Sequence, residues 1–334
     1  AAEVTMSGSA RLGLTYSEGT AGTAAVAGRL DTFAAGVRTA VTGTVVAADV
    51  TTAQNAVVAA QAAVNAATTA AGLATAQAAL ADRQAELAAR LGTAAVAPTN
   101  SQTLMEYRTR VSITGSGETD SGLSYSATIR LQDSSTVAST QAIGVTVSGA
   151  FGSLTFGSES SAAEYAVGDL AGVGYGPSPG GADTTFINGA FALYSYNAGD
   201  FTVYASAGQV GTDDVSFGGK YSAGGLTVGL GYEDNGAATH TVASAAYTMG
   251  DTTVKAIYGR SSDLNFTQSG ISVAHTMGAA SLAAYYRTTD TAGVKADNYG
   301  IGGAYDLGGG GAIKAGVQSI NDRTYADLGL TFSF

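Results

Sequence analysis

Eight charged residues carry the chemistry this sequence could do. Four are arginines, Arg11, Arg108, Arg110 and Arg130, and four are acids, Glu159, Glu164, Asp169 and Asp183. The arginines fall in segments that alternate between apolar and polar residues. Successive side chains of a strand point to opposite faces, so parity assigns each one a side. In 104–115 one face carries Tyr107, Val111 and Ile113, and the other carries Glu106, Arg108, Arg110, Ser112 and Thr114. In 123–132 Leu123, Tyr125, Ala127, Ile129 and Leu131 oppose Ser124, Ser126, Thr128, Arg130 and Gln132. Arg11 belongs to the polar face of 4–16. At about 3.3 Å per residue the four guanidiniums reach similar height on three consecutive strands. The acids lie at 159–183, and no Lys or Arg occurs in 160–189. A basic wall opposite an acidic segment sets an electric field across the space between them and sorts ions there. The bland alternative is scattered arginines solvated by water and a merely exposed acidic loop.

Other chemistry has little to work with. His240 and His275 are the only histidines, and Cys is absent. Neither His lies in a nucleophile motif, so a Ser-His-acid hydrolase is not expected, and both read more simply as strand or rim residues. Thiolate metal sites and disulfides are excluded, and a transition-metal site is disfavoured. The net charge of −11 argues against nucleic acid as a partner.

Elements that could position the eight residues are strands. Charged residues are 12% of the chain, about half the usual share of a soluble domain, yet no run of 18 strongly apolar residues exists. Gly (47) and Tyr (17) are abundant and Pro (3) is scarce. With repeated alternation, this composition predicts an all-β transmembrane barrel rather than a soluble sandwich. Strands are expected at 4–16, 104–115, 123–132, 141–150, 153–159, 190–197, 201–208, 214–222, 225–233, 240–248, 252–261, 269–276, 280–288, 298–306, 311–319 and 324–334. Sixteen is an even number, so both termini lie on one side. The last segment alternates Ala326, Leu328, Leu330, Phe332 and Phe334 with Asp327, Gly329, Thr331 and Ser333. It reads as the strand that closes the barrel, ending on a terminal aromatic signal for assembly. The opening Ala1-Ala2-Glu3 reads as a chain whose signal peptide has been removed. Charged side chains on the lipid face would cost about 2–4 kcal/mol at mid-depth, so the arginines are assigned to the lumen.

Two segments break the rhythm. The stretch 160–189 is Gly-rich, holds Pro177 and Pro179, and is too long for a barrel turn. It is expected to fold into the barrel and narrow it. The stretch 21–100 is Ala-rich, with Val50, Val57 and Val64 seven apart and Leu73, Leu80 and Leu87 seven apart. That spacing predicts helix, packed as a narrow coiled coil. The phase breaks near Ala71-Gly72, which favours an antiparallel hairpin over one long bent helix. Asp82, Arg83, Glu86 and Arg90 supply opposite charges three or four apart. Outward projection is expected. The rival is a surface adhesion or receptor barrel whose helical arm plugs the pore or binds a partner.

Three stretches carry a resemblance. Gly149-Ala150-Phe151-Gly152-Ser153-Leu154-Thr155-Phe156-Gly157 with Gly168-Asp169-Leu170-Ala171-Gly172-Val173-Gly174-Tyr175 resembles the constriction-loop region of porins from photosynthetic and related α-proteobacteria, the Rhodobacter type. Tyr299-Gly300-Ile301-Gly302-Gly303-Ala304-Tyr305-Asp306-Leu307-Gly308 and the final nine residues are similar to the same family. The resemblance spans 1–20 and 101–334, and 21–100 departs from the family pattern at the place of the first extracellular loop. It implies a homotrimeric, water-filled, 16-stranded general diffusion pore in the outer membrane of a Gram-negative bacterium. Small hydrophilic solutes and ions would pass; separately, the acidic balance of the chain predicts a weak cation preference. Outer-membrane lipid and lipopolysaccharide would surround it. The resemblance also implies a structural Ca²⁺ near Glu164, Asp169 and Asp183, with no other cofactor.

Overall fold

The computed structural model describes residues 2–92, 95–135, 140–175, 181–187, 189–209 and 211–334. The chain divides into two compact units, one made of 1–18 with 101–334 and the other of 19–100.

The first unit is a closed antiparallel barrel. Among the described residues sixteen strands form it: β1 (Glu3–Ser17), β4 (Gln102–Glu118), β5 (Ser124–Ser134), β6 (Thr140–Gly149), β7 (Gly152–Glu159), β8 (Ala190–Ala198), β9 (Phe201–Ala207), β10 (Val215–Ala223), β11 (Leu226–Asp234), β12 (Thr239–Met249), β13 (Thr252–Ser261), β14 (Phe266–Met277), β15 (Ala280–Thr291), β16 (Val294–Gly308), β17 (Gly311–Ile320) and β18 (Arg323–Ser333). Each pairs with its neighbour in sequence, and β1 closes the ring by pairing with β18 from Ser9↔Ser333 to Ser17↔Tyr325. Every strand expected from alternation is present. Several run further than the pattern predicts, as in 294–308 against 298–306. At the rims Lys295 and Asp297 break the hydrophobic alternation, but their backbones still pair with Asp290 and Thr288.

Closure leaves no sheet edge, so every spanning strand has its backbone groups paired, which a bilayer demands. Phe334 adds one more rung, its amide donating to Gly8 O at 3.0 Å and its carbonyl accepting from Gly8 N at 2.6 Å. Its ring covers Gly8, where a Cβ would come within 2.2 Å of the ring. The outer wall is apolar and exposed, as at Leu12, Leu14, Ile301, Val317 and Leu328. The most buried residues include polar ones such as His240, Gln268 and Glu233. This inside-out distribution suits a barrel with lipid outside and polar groups within. An apolar cluster of Leu170, Val173, Ala182, Ile257 and Tyr285 forms where the 160–189 segment meets the inner wall. That segment begins with the short helix α3 (Ala162–Val167), and its other described residues form no helix or strand. Pro177 and Pro179 lie outside the described residues.

The second unit holds a hairpin, β2 (Thr32–Ala34) and β3 (Val37–Thr39), and two helices, α1 (Ala47–Ala66) and α2 (Ala70–Leu91). The helices pack on each other as a hairpin. Val50, Ala53, Val57, Ala60 and Val64 form the covered stripe of α1, and Ala53 is fully buried. The break falls at 67–69, slightly before the expected Ala71-Gly72. Thr69 caps α2 there, its Oγ1 accepting from Gly72 N at 3.1 Å. The expectation of helix across 21–100 fails for 21–46, which is extended or irregular. The reason is local: β-branched Thr32, Val37 and Thr39 flank a turn in which Ala35 and Gly36 both have positive φ, 52° and 75°. Carboxylates of α2 hold this hairpin. Asp82 accepts from Ala35 N and Gly36 N at 2.8 and 2.9 Å, and Glu86 accepts from Phe33 N at 3.1 Å while pairing with Arg83.

Candidate functional site

The 160–189 segment lines the inside of the barrel, and the wall is built to receive it. Ser161 caps α3, its Oγ accepting from Glu164 N and donating to Glu233 Oε1. The next two amides, which a helix cannot satisfy itself, donate to wall hydroxyls: Ala162 N to Ser206 Oγ at 2.8 Å and Ala163 N to Ser216 Oγ at 2.9 Å. At the other end Val167 O accepts from Lys255 Nζ at 2.6 Å and Ser244 Oγ at 3.0 Å. Between these ends, the alanine face of α3 rests on wall glycines. A Cβ at Gly218 would come within 2.3 Å of Ala162 O, and one at Gly229 within 2.2 Å of Ala166 O.

Beyond α3 the segment crosses the inner wall. Ala171 N donates to Ser272 Oγ on β14, and Tyr175 N donates to Asp327 Oδ1 on β18 at 2.8 Å. Tyr175 reaches β4 through its hydroxyl, which donates to Glu106 O at 3.1 Å. The return limb is fastened by Gln268, whose Nε2 donates to Thr184 O at 2.7 Å, and by Glu233, which accepts from Phe186 N and Ile187 N at 2.7 and 3.1 Å.

All four sequence-predicted arginines face the lumen and come together. Arg11 and Arg108 are direct cross-strand neighbours, Arg110 pairs in register with Ser9, and Arg130 with Ser112. Arg110 Nε donates to Gln132 Oε1. Arg11 donates from Nη1 to Tyr175 O at 3.3 Å and stacks over the Tyr175 ring at 5.4 Å. Among the described residues none of the four forms an ion pair. Lower on the same wall, Thr114–Thr128 and Thr146–Thr155 hydroxyl pairs continue the polar surface across β4–β7.

The acids divide. Glu159 at the end of β7 accepts from the Tyr165 hydroxyl at 2.7 Å, and Arg130 lines the same cavities. Glu164, Asp169 and Asp183 lie on the inner segment within electrostatic range of one another. Burial raises the Glu164 carboxyl above the usual range, with the Asp169 charge adding to the shift. Partial burial raises the Asp169 carboxyl too, reinforced by the Asp183 charge. Burial, then the bond to Glu159, push Tyr165 up to about 12. Among the described residues no group of three or more His, Cys, Asp or Glu side chains is drawn together as a metal site.

Several residues that matter here escaped the sequence pattern. Lys255 and Arg287 face the loop acids from β13 and β15, and Lys255 also donates to Asp169 O at 2.8 Å. Glu233, His240, Gln268 and Arg287 form a buried chain of hydrogen bonds behind the inner segment. Strand parity is consistent with a lumen position for these side chains. Nothing in their spacing announced that they would hold a loop.

A closed sixteen-stranded barrel with an apolar outer wall, a polar lumen and a segment folded inward is an outer-membrane channel. The chain belongs to the Gram-negative porin family, whose model matches residues 62–325. It is 32% identical over 278 residues to the porin of Rhodobacter capsulatus, covering 68% of this chain and 92% of that one. A refined porin crystal structure superposes with a TM-score of 0.62 at 24% identity, covering 99% of this chain and 100% of the other. A triple mutant of the Rhodopseudomonas blastica porin superposes with a TM-score of 0.64 at 18% identity and the same coverage. The protein is a channel of the Gram-negative outer membrane for small solutes, not an enzyme.

Proposed function

We propose that this pore sorts the ions and small hydrophilic solutes it passes with a transverse field. Arg11, Arg108, Arg110 and Arg130 form its positive side, and Glu159, Glu164, Asp169 and Asp183 its negative side. The observation that carries the reading is the register of Arg11, Arg108, Arg110 and Arg130 on three adjacent strands, with no ion pair among the described residues. Guanidiniums left unpaired in a lumen act on passing charge rather than on each other's partners. The net preference is weakly for cations, because the loop acids outnumber the bases on their own segment. Reversal potentials in a KCl gradient test it. Replacing Arg108, Arg110 and Arg130 together by Gln raises cation preference. Unchanged selectivity overturns the assignment.

The functional unit is a homotrimer on this reading. On this reading a neighbouring subunit packs against the apolar outer wall of β1 and β15–β18, where a groove of about 440 Å³ is lined by Leu14, Leu282, Ile301, Val317 and Leu328. Chemical cross-linking of protein in outer-membrane fragments, read by mass, tests the stoichiometry.

A further inference from the structure

A second cavity opens at the long-loop end of the barrel, with Arg130 of the arginine wall on one side. It has a volume of about 740 Å³ and lies where β5, β7, β8 and residues Gly208, Gln209, Thr212 and Asp214 meet the start of the inner segment. Six side chains define it: Tyr165, Glu159, Asp214, Arg130, Gln209 and Thr212.

Tyr165 is its aromatic floor. The ring stacks on Tyr204 at 5.7 Å between centroids with 25° between planes, so it is braced from behind. It remains 40% exposed and lines the cavity. Its hydroxyl is fixed by donation to Glu159 Oε2, which leaves the second carboxylate oxygen of Glu159 without a protein donor among the described residues. The Asp214 carboxylate likewise accepts no protein hydrogen bond among the described residues, since only its backbone oxygen is used, by Gly208 N. Thr212 donates its hydroxyl to Gln209 O at 2.8 Å, and its oxygen is left as an acceptor. Arg130 contributes a planar fork of donors.

We propose that this cavity is a saccharide-binding subsite, occupied by a neutral mono- or disaccharide on its way to the narrow part of the lumen. The proposal rests on the reading that solutes cross through this lumen and names one class of them. Three features select the ligand. A rigid tyrosine face accepts the C–H face of a pyranose ring. Both oxygens of Asp214 and the second oxygen of Glu159 accept from ring hydroxyls, while a guanidinium donates to hydroxyl and ring oxygens. One cation against two acids leaves a single net charge, so the array of donors and acceptors around the ring, more than the charge, selects the ligand. The volume lies within the range of small-molecule sites and accommodates a disaccharide.

The test uses the full-length protein in planar bilayers, after KCl conductance has been established. Absence of that conductance would count against the channel reading alone. Maltose is then titrated against polyethylene glycol of equal hydrodynamic radius. The expected result is a saturable fall in KCl current with maltose and a featureless one with the polymer. Tyr165→Ala shifts the half-saturating maltose concentration upward by about tenfold, while Tyr165→Phe, which keeps the ring, shifts it much less. Asp214→Asn raises the half-saturating maltose concentration, each block being read against that variant's own KCl current. Equal, non-saturating falls with both solutes overturn the proposal, as does block by glycine in place of maltose. Saturation-transfer NMR of maltose with detergent-solubilised protein reads the site without any current. Transfer lost in Tyr165→Ala and kept in Tyr165→Phe supports the subsite, and no transfer to the wild type overturns it.

Discussion

His240 donates from Nδ1 to Oε2 of Glu233 across 3.1 Å, and each residue exposes only 1% of its surface. A carboxylate can only accept, so the proton lies on Nδ1, and Nε2 is left to accept from Gln268 Nε2 at 3.1 Å. Gln268 in turn accepts on Oε1 from Arg287 Nε at 3.0 Å. The imidazole lies flat on Phe186, 3.9 Å between centroids and 10° between planes. Because Phe186 belongs to the inner segment and His240 to β12, the stack and the hydrogen-bond chain together staple the segment to the wall. Glu233 is the keystone, accepting from Ser161 Oγ, Phe186 N, Ile187 N and His240 at once.

Glu233→Ala should therefore loosen the inner segment without dissolving the barrel. Four donors lose their acceptor, at a cost of about 1–3 kcal/mol for each one left buried and unpaired. The expected outcome is faster limited proteolysis within 160–189 and larger open-channel current noise. Heat resistance of the barrel on gels should stay close to wild type. Glu233→Gln, which keeps one acceptor oxygen, should lie between. Proteolysis indistinguishable from wild type would show that the segment is held elsewhere.

The glycine seat beneath α3 gives a steric test with a defined sign. A side chain at Gly229 meets Ala166 O at 2.2 Å, so Gly229→Val forces α3 off the wall and towards the lumen. Overpacking of this kind costs about 1–3 kcal/mol. Single-channel conductance should fall, because the displaced helix narrows the passage. Gly219, whose Cβ would meet nothing within 4 Å, is the matched control, and Gly219→Ala should leave conductance unchanged.

The barrel was legible because its physics is periodic. Lipid on one side and water on the other impose alternation on every strand, and Leu328, Leu330 and Phe332 carry that signal locally. The arginine wall was legible for the same reason, since parity and strand length locate Arg11, Arg108, Arg110 and Arg130 without further information. The inner segment obeys no period. Its placement depends on contacts far apart in sequence, such as Ser161 with Glu233 or Tyr175 with Asp327, and on missing side chains at Gly218 and Gly229. In the second unit the heptad spacing of Val50, Val57 and Val64 announces α1. The 32–39 hairpin is too short to show a period at all.

The loop carboxylates predict a pH-dependent selectivity. Glu164 and Asp169 are both raised, mainly by burial, so each takes up a proton above its ordinary value of about 4.3 or 3.9. The arginines stay charged throughout. As pH falls from 7, the negative side of the field weakens first, and cation preference should decline before ordinary carboxylates titrate. Reversal potentials measured from pH 7 to 4 check this, and Glu164→Gln with Asp169→Asn should remove the transition. The linkage sign is also fixed. A group whose pKa is higher docked than free binds protons more tightly when docked, so these two residues strengthen docking as pH falls. Current noise should then drop, not rise, across the same interval.

Removing 19–100 should leave the barrel intact. The two strands that flank it are hydrogen-bonded neighbours to their last residues, with Ser17 opposite Gln102. A tight hairpin turn can join ends placed like that. The removed unit carries its own closing contacts, Thr20 N to Thr99 Oγ1 at 2.8 Å and Thr99 N to Thr20 O at 3.0 Å, so it already brings its ends together. Shortening the connection consequently recovers little of the loop-closure entropy that a flexible segment of the same length would cost, about 0.6 kcal/mol per doubling. A variant with a short Asn-Gly turn in place of 19–100 should insert into the outer membrane, keep its heat-resistant migration and conduct KCl. Failure to assemble would mean that the second unit contributes to barrel folding through more than its connection to β1 and β4.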